Sequence, residues 1–556
     1  FNIITLSSFV PTPTVTADKA KYYKYNDFTD YHALNIYGTY ERKLDEHLFT
    51  LTAGFNQESS YFELLDAQMS NMINPNLPYL DGGTGVIQPD DNGFDGFSEY
   101  AVQGYFYRFN YAYKGKYLLE TTGRYDGSSK FPEGRRWGFF PSVSAGWRVS
   151  DETFMKALKP ALSDLKIRAS YGNVGNQSIG NYLFYSGMKT RPASNWADVS
   201  GVRYLTLDAP GLISGDFTWE KVTTRNLGID LGLFNNRFTG SFDLFKRTTT
   251  GMLIPGAQLP AVLGASAPLQ NTADLKSTGW GLQAAWKDQV GKVNYQFGFT
   301  LSDNKAFITK YDINATRLLT QYYVGQQIGE IWGYETDGFY TVADFEDGSL
   351  NSNLLGGKLR DGVIKYQGEN PNPGDIKFKD LDKDGKIFTG DNTVDNPGDR
   401  KIIGNTNRRY QYGFSARAAW HGFDVSVFIQ GVGKRDLFVL NDITYPYSSN
   451  YGTLYSNLLD YWTIDNTDAF YGRIYNLGGG NSSYNKLVQT RLLQNGAYMR
   501  VKNITLGYSL PLQWLSRAKI NSLRLFVSGD DLLTKKHLPA GVDPELKDQG
   551  YGAQYP

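Results

Sequence analysis

Apolar and polar residues alternate with a period of two through most of the chain. Val293, Tyr295, Phe297, Phe299 and Leu301 alternate with Asn294, Gln296, Gly298 and Thr300. Leu227, Ile229, Leu231 and Leu233 alternate with Asn226, Gly228, Asp230 and Gly232, and Phe49, Leu51, Ala53 and Phe55 with Thr50, Thr52, Gly54 and Asn56. Successive strand residues point to opposite faces, so each run predicts a strand with one apolar face and one face of small or polar side chains. Fourteen such segments are predicted, at 33–42, 47–56, 99–113, 117–127, 137–149, 165–172, 223–233, 237–247, 277–288, 292–304, 409–420, 423–432, 498–510 and 520–530. Most are close to the roughly 9–11 residues that a tilted strand needs to cross a bilayer.

The connections alternate between short and long. KLDE 43–46, KGK 114–116, FNN 234–236, DQVG near 288–291 and HG 421–422 are short, and 150–164 and 511–519 are modest. Between them lie 57–98, 128–136, 173–222, 248–276, 305–408 and 433–497. A soluble sandwich has no reason to keep its long loops at one end, whereas an outer-membrane barrel has short periplasmic turns and long extracellular loops. The expected fold is therefore all-β, a transmembrane antiparallel β-barrel whose longest loop, 305–408, lies outside the cell. Tyr105, Tyr107, Phe109, Tyr111 and Tyr113 fall on one strand face, and Trp137, Trp147, Trp219, Trp280, Trp286 and Trp420 fall near predicted strand ends. Both features fit such a barrel: the six Trp together match its interfacial girdles, while any one of them alone fits ordinary sheet core as well.

Composition supports this picture. Aromatic residues make up 15% of the 556, and cysteine is absent, which excludes a disulfide scaffold and thiolate metal sites. Lys+Arg and Asp+Glu are both 56, so net charge gives no pull toward nucleic acid. A run of about 18 apolar residues is absent, and the mean hydropathy of −0.42 carries little weight, because a barrel averages its two faces. The start, FNIITLSSFVPTPTVTADKAK, lacks a signal-peptide pattern and an initiator Met, and is expected to belong to a processed or longer product.

Seven stretches occur in an order that resembles the SusC/RagA family of TonB-dependent outer-membrane transporters of Bacteroidota. They are FFPSVSAGWRVSDE 139–152, LKIRASYGNVGNQ 165–177, WEKVTTRNLGIDLGLFNNRFTGSFDLFKRTTTGML 219–253, VGQQIGEIWGYETDGFY 324–340, GDIKFKDLDKDGKI 374–387, DRKIIGNTNRRYQYGFSARAAWHGFDVSVFIQG 399–431 and YMRVKNITLGYSLP 498–511. GVDPEL 541–546 resembles the family segment that precedes its last strand. The resemblance implies a barrel of about 22 strands around a plug. This chain would then supply about 14 of them, with strands before residue 33 and one after 556 in the same gene product or on a partner chain. It further implies active import of large nutrients, oligosaccharide glycans or peptides. The implied partners are a SusD-like surface lipoprotein lid, TonB acting on the plug, and outer-membrane lipid. A passive porin and a soluble secreted carbohydrate-binding protein or glycosidase are the alternatives.

Candidate substrate contacts are loop aromatics, which stack on sugar faces: Trp196, Tyr322, Tyr323, Trp332, Tyr445, Tyr447 and Tyr451. Each could equally pack loops together or touch the lid. GDIKFKDLDKDGKIFTGD 374–391 outlines a calcium loop, in which Asp380, Asp382 and Asp384 would give side-chain oxygens, Lys386 its carbonyl, and Asp391 the closing ligand where the standard frame has Glu. No amphipathic helix flanks it, so a sensor hand is excluded; a structural calcium brace and an Asp-rich turn that caps backbone N–H groups stay open. No cofactor is required. His32, His47, His421 and His537 are scattered, GxxxxGK[ST] and GxSxG motifs are absent, and no catalytic residues are assigned.

Overall fold

A computed structural model describes residues 22–545 apart from 70, 75–78, 84–95, 160, 189, 192–205, 208–209, 258, 447–453, 476–482 and 517–518. Its main feature is one antiparallel sheet of 14 strands in chain order with no crossover. The strands are β1 (Tyr22–Leu44), β2 (His47–Met69), β3 (Gly96–Tyr113), β4 (Tyr117–Ser128), β5 (Trp137–Arg148), β6 (Leu162–Asn176) and β7 (Glu220–Leu233). They continue as β8 (Phe238–Pro255), β9 (Leu269–Val290), β10 (Val293–Tyr311), β11 (Arg409–Trp420), β12 (Phe423–Lys434), β13 (Tyr498–Ser509) and β14 (Arg524–Lys536). β1 and β14 are the outer strands of the sheet and are not paired with each other.

Register carries the sequence alternation across the whole sheet. One rung reads Trp286, Phe297, Ala416, Val427, Ile504 and Gly529 from β9 to β14; the next reads Lys287, Gln296, Arg417, Ser426, Thr505 and Ser528. A one-residue slip would exchange these rows, so the apolar pattern fixes the register. Tyr107 lies flat across Gly123 of β4, where an added Cβ would sit 2.3 Å from the ring. Short turns close one end: in the β11–β12 hairpin His421 (φ 46°) and Gly422 (φ 88°) both adopt the left-handed conformation of a two-residue turn.

All fourteen expected strands are present, with three differences. β1 and β2 are 23 residues each, because the hairpin continues toward the long-loop end, where Tyr22–Ala33 pairs with Glu58–Met69. Both faces there are rich in polar residues, so the alternation that marks a strand fades while the backbone pairing persists. β9 likewise starts at Leu269, which puts Trp280 in mid-strand rather than near an end. Trp219 is not a girdle residue: it is buried with Phe131, Phe140 and Phe217 beneath the loops, and its Nε1 donates to the Arg136 carbonyl at 2.8 Å.

Two long connections, 312–408 and 435–497, fold together. Tyr334, Ile376, Phe378 and Ile387 from the first bury against Tyr484 from the second. Each such large apolar side chain contributes about 1.5–3 kcal/mol when fully buried. Backbone bonds tie the pair: Tyr334 N–H donates to Val488, Thr490 N–H to Tyr334, and Arg473 N–H to Gly374.

Candidate functional site

The polar face of the sheet is a charged wall. Arg168 of β6 donates to Asp230 of β7 at 3.2 Å and to Asp243 of β8 at 2.7 Å. Arg168, Gly228 and Asp243 occupy one rung, so the guanidinium reaches Asp243 by passing over Gly228 of the intervening strand. An added Cβ at Gly228 would lie 2.6 Å from Arg168 Cζ and 2.8 Å from Asp243 Oδ1. The device recurs on the far side, where Arg524 of β14 binds Asp424 of β12 at 2.6 and 2.9 Å over Gly507 of β13. Arg108–Glu120 and Arg124–Asp126 extend the charged row across β3 and β4. A cavity of 420 Å³ opens on this wall, lined among others by Thr50, Asn110, Glu120, Ser144, Lys166 and Arg168.

Gly228→Val should displace the Arg168 guanidinium and cost about 1–3 kcal/mol, the usual range for overpacking. It should lower the temperature at which the folded band is lost in a heat-modifiability gel, with Gly228→Ala intermediate.

At the long-loop end, the segment Pro539–Glu545 folds back onto β11–β14. Glu545 accepts from Gln430 Nε2 at 2.7 Å, Arg500 Nη1 at 2.7 Å and Lys502 Nζ at 3.1 Å. Asp543 accepts from Arg500 Nη2 at 2.7 Å, while Arg435 and Arg408 donate to the carbonyls of Pro544 and Glu545. Arg435 also donates to the Thr406 carbonyl, so the segment joins the strand ends to the stem of the outer loops. The sequence marks this segment only through the family resemblance of GVDPEL 541–546; no spacing joins Asp543 and Glu545 to Arg500 or Gln430.

The outer loops are held by buried polar contacts. Asp375 is fully buried and accepts from Asn485 Nδ2 at 2.8 Å and Asn372 N–H at 2.7 Å; Asn485 Oδ1 accepts from Ile376 N–H at 2.9 Å. On the surface of the same unit, Lys379 and Lys401 clamp Glu335, whose carboxyl is held down to about 2 by its hydrogen bonds to the two ammonium groups.

The aromatic candidates divide. Trp196, Tyr447 and Tyr451 lie outside the described residues. Tyr323 is 3% exposed; its hydroxyl donates to Glu330 at 2.5 Å and accepts from Trp332 Nε1 at 3.1 Å. Burial, and then the Glu330 bond, push the Tyr323 hydroxyl up to about 12. Tyr445 is 6% exposed, packed with Leu458, Tyr471 and Leu492, and burial raises its hydroxyl too. These two, with the half-buried Trp332, build the loops. Tyr322, 54% exposed, presents a ring to solvent against the edge of Tyr311.

Asp380, Asp382 and Asp384 do come together, with carboxylate oxygens within 4.8 Å of one another. Their turn is closed by backbone donors: Gly385 N–H to Asp380 at 2.9 Å, Asp384 N–H to Asp382 at 3.1 Å and Lys386 N–H to Asp384 at 2.9 Å. Asp391 is not in this group; it accepts from Asn396 Nδ2 at 2.9 Å in a neighbouring turn. The residue that secures the acidic turn is Asp399, fully buried, which accepts from Leu381 N–H at 2.8 Å and Phe388 N–H at 3.0 Å. Burial raises its carboxyl above the usual range. Three converging carboxylates on an outer loop suit a hard cation such as calcium, which takes oxygen ligands.

Comparison with known proteins places this architecture. A family model described as "TonB dependent receptor-like, beta-barrel" matches residues 4–366. TonB-dependent receptor P3 of Formosa agariphila is 28% identical over 528 residues, covering 92% of this chain and 48% of that protein. TonB-dependent receptor SusC of Bacteroides thetaiotaomicron is 26% identical over 461 residues, covering 80% and 41%. The solved structure described as the RagAB peptide transporter superposes with a TM-score of 0.73 at 21% identity, over 95% of this chain and 54% of that one. The chain spans about half the length of the curated relatives it matches.

Proposed function

Because the chain belongs to the TonB-dependent receptor-like β-barrel family, whose members are outer-membrane transport proteins rather than enzymes, we propose that it forms the wall and outer loops of an active importer of large nutrients, glycans or peptides. The observation that carries this reading is the joining of a charged, polar sheet face to a folded loop unit at one end. Water and polar solute would contact the first, and the second offers a broad surface for a SusD-like lipoprotein lid. In this reading further strands pair with the edges of β1 and β14, since unpaired N–H and C=O groups in lipid cost several kcal/mol each. A plug within the closed barrel would transmit the pull of TonB.

Deleting the gene should abolish growth on one class of oligosaccharide or peptide as sole nutrient, and collapsing the proton gradient should stop its uptake by wild-type cells. Uptake that survives gradient collapse would point to passive diffusion and reject the active mechanism.

The acidic turn fits the same reading as a brace for the outer loops, because millimolar calcium affinity suffices outside a cell. Asp382→Asn with Asp384→Asn should lower protease resistance of 374–391 in calcium and leave it unchanged in chelator. Equal resistance of variant and wild type in calcium would dismiss the ion.

A further inference from the structure

Four cations stand together on the apolar side of the sheet, where a transport path has no use for them. Successive rungs across β6–β10, read toward the long-loop end, show how they arise. Ile167, Ile229, Phe242, Leu282 and Leu301 form one rung, and Ala169, Leu227, Leu244, Trp280 and Asp303 the next. The third rung is Tyr171, Arg225, Lys246, Thr278 and Lys305, and the fourth is Asn173, Thr223, Thr248, Lys276 and Phe307. The apolar band thus ends abruptly in Arg225, Lys246 and Lys305, with Lys276 one rung beyond. Neighbouring strands are about 4.8 Å apart, so the three cations of the third rung lie within about 15 Å.

Like charges side by side on a sheet repel one another, and the one acid two residues from Lys276 on its own strand, Asp274, accepts the Gly251 N–H at 2.8 Å. Among the described residues none of the four joins an ion pair. Asp303, the acid of the rung below, is taken by Arg409. Asp312 is paired with Lys310. Arg225 rests its guanidinium 5.7 Å from the centre of the Tyr171 ring and stays solvent-exposed, as do Lys246 and Lys305. On β3–β5 the corresponding face carries Tyr105, Tyr125 and Phe139 instead, so the cationic edge is a local feature of β7–β10.

We propose that Arg225, Lys246, Lys276 and Lys305 form a docking site for the phosphorylated head group of an outer-leaflet glycolipid. The proposal rests on the outer-membrane placement of the family. In that placement the rung lies at the level where apolar chains give way to head groups on the outer side. Phosphate monoesters supply the missing anions, and Leu227, Leu244 and Trp280 directly below offer the surface that acyl chains need. A soluble anion would gain only the first of these contacts; a lipid gains both.

The test uses the whole gene product in phosphatidylcholine nanodiscs doped with diphosphoryl lipid A or phosphatidylglycerol, with inorganic phosphate as a further arm. Lipid retained per barrel is read by native mass spectrometry. Wild type should retain lipid A in preference to phosphatidylglycerol, and phosphate should not displace it. With about 1 kcal/mol for each basic residue near an anionic surface, Arg225→Gln, Lys246→Gln and Lys305→Gln together should weaken retention about a hundredfold. Arg247→Gln, on the opposite face of β8, removes a charge at the same height and should leave retention unchanged. Retention by the triple variant equal to wild type, equal retention of phosphatidylglycerol, or displacement by phosphate would overturn the proposal. Heat-modifiable gel mobility reports barrel folding separately, so a failed barrel assignment is distinguishable from a failed lipid site.

Discussion

Replacing Asp543 and Glu545 together by alanine is expected to free the segment 539–545 and destabilise the long-loop end of β11–β14 by about 3–5 kcal/mol. Arg500 is 4% exposed and is held by both carboxylates. Losing them removes its two charged hydrogen-bond partners at 2.7 Å, while the Thr534 hydroxyl at 2.8 Å and the more distant Asp531 carboxylate at 3.9 Å stay in place. Removing one partner of a buried ion pair costs more than replacing the whole group by apolar residues. Adding Arg500→Met to the double variant should therefore restore most of the loss. Hydrogen exchange of β12–β14 in the whole protein would measure both changes, and no rescue by Arg500→Met would mean that packing of the segment, rather than charge, holds it.

Asn485→Ala should separate the two outer loops. Asn485 is 1% exposed and satisfies two groups of the other loop at once, the buried Asp375 carboxylate and the Ile376 N–H. Leaving a buried donor and a buried charge short of a partner costs about 1–3 kcal/mol for each neutral group and more for the charge. The expected result is faster proteolysis in both 330–400 and 460–495, with the barrel's heat-modifiable band unchanged. Asn485→Asp would place two carboxylates together and should be at least as damaging.

The strands were legible because a half-buried sheet writes its two faces into alternate residues. The row from Val293 to Leu301 gave β10 and its apolar side directly. Legibility ended where that contrast ended. The outer parts of β1 and β2 are polar on both sides, and the core around Tyr334, Phe378 and Tyr484 is assembled from very short segments, two brief strands of one loop and a turn of the other more than a hundred residues later. No local period announces such pairing. Residue type alone also could not separate Tyr322, which faces solvent, from Tyr323, which is buried beside it. In the acidic turn the spacing pointed to Asp391, yet Asp399 carries the turn, because the chain doubles back and brings a later carboxylate beneath Leu381 and Phe388.

The alternation also supplies the most direct test of the transport wall. Leu301 and Ser302 are adjacent on β10, the first in an apolar rung with Leu282 and Tyr412, the second beside Gly281 and Gln411. The chain has no cysteine of its own, so each can be replaced singly by cysteine in the whole gene product after removal of any cysteine elsewhere. A bulky water-soluble maleimide applied to energised cells should label Ser302→Cys, leave Leu301→Cys unlabelled, and block nutrient uptake only in the former. Equal labelling at the two positions, or full uptake through a labelled Ser302→Cys protein, would contradict a lumen-facing transport wall.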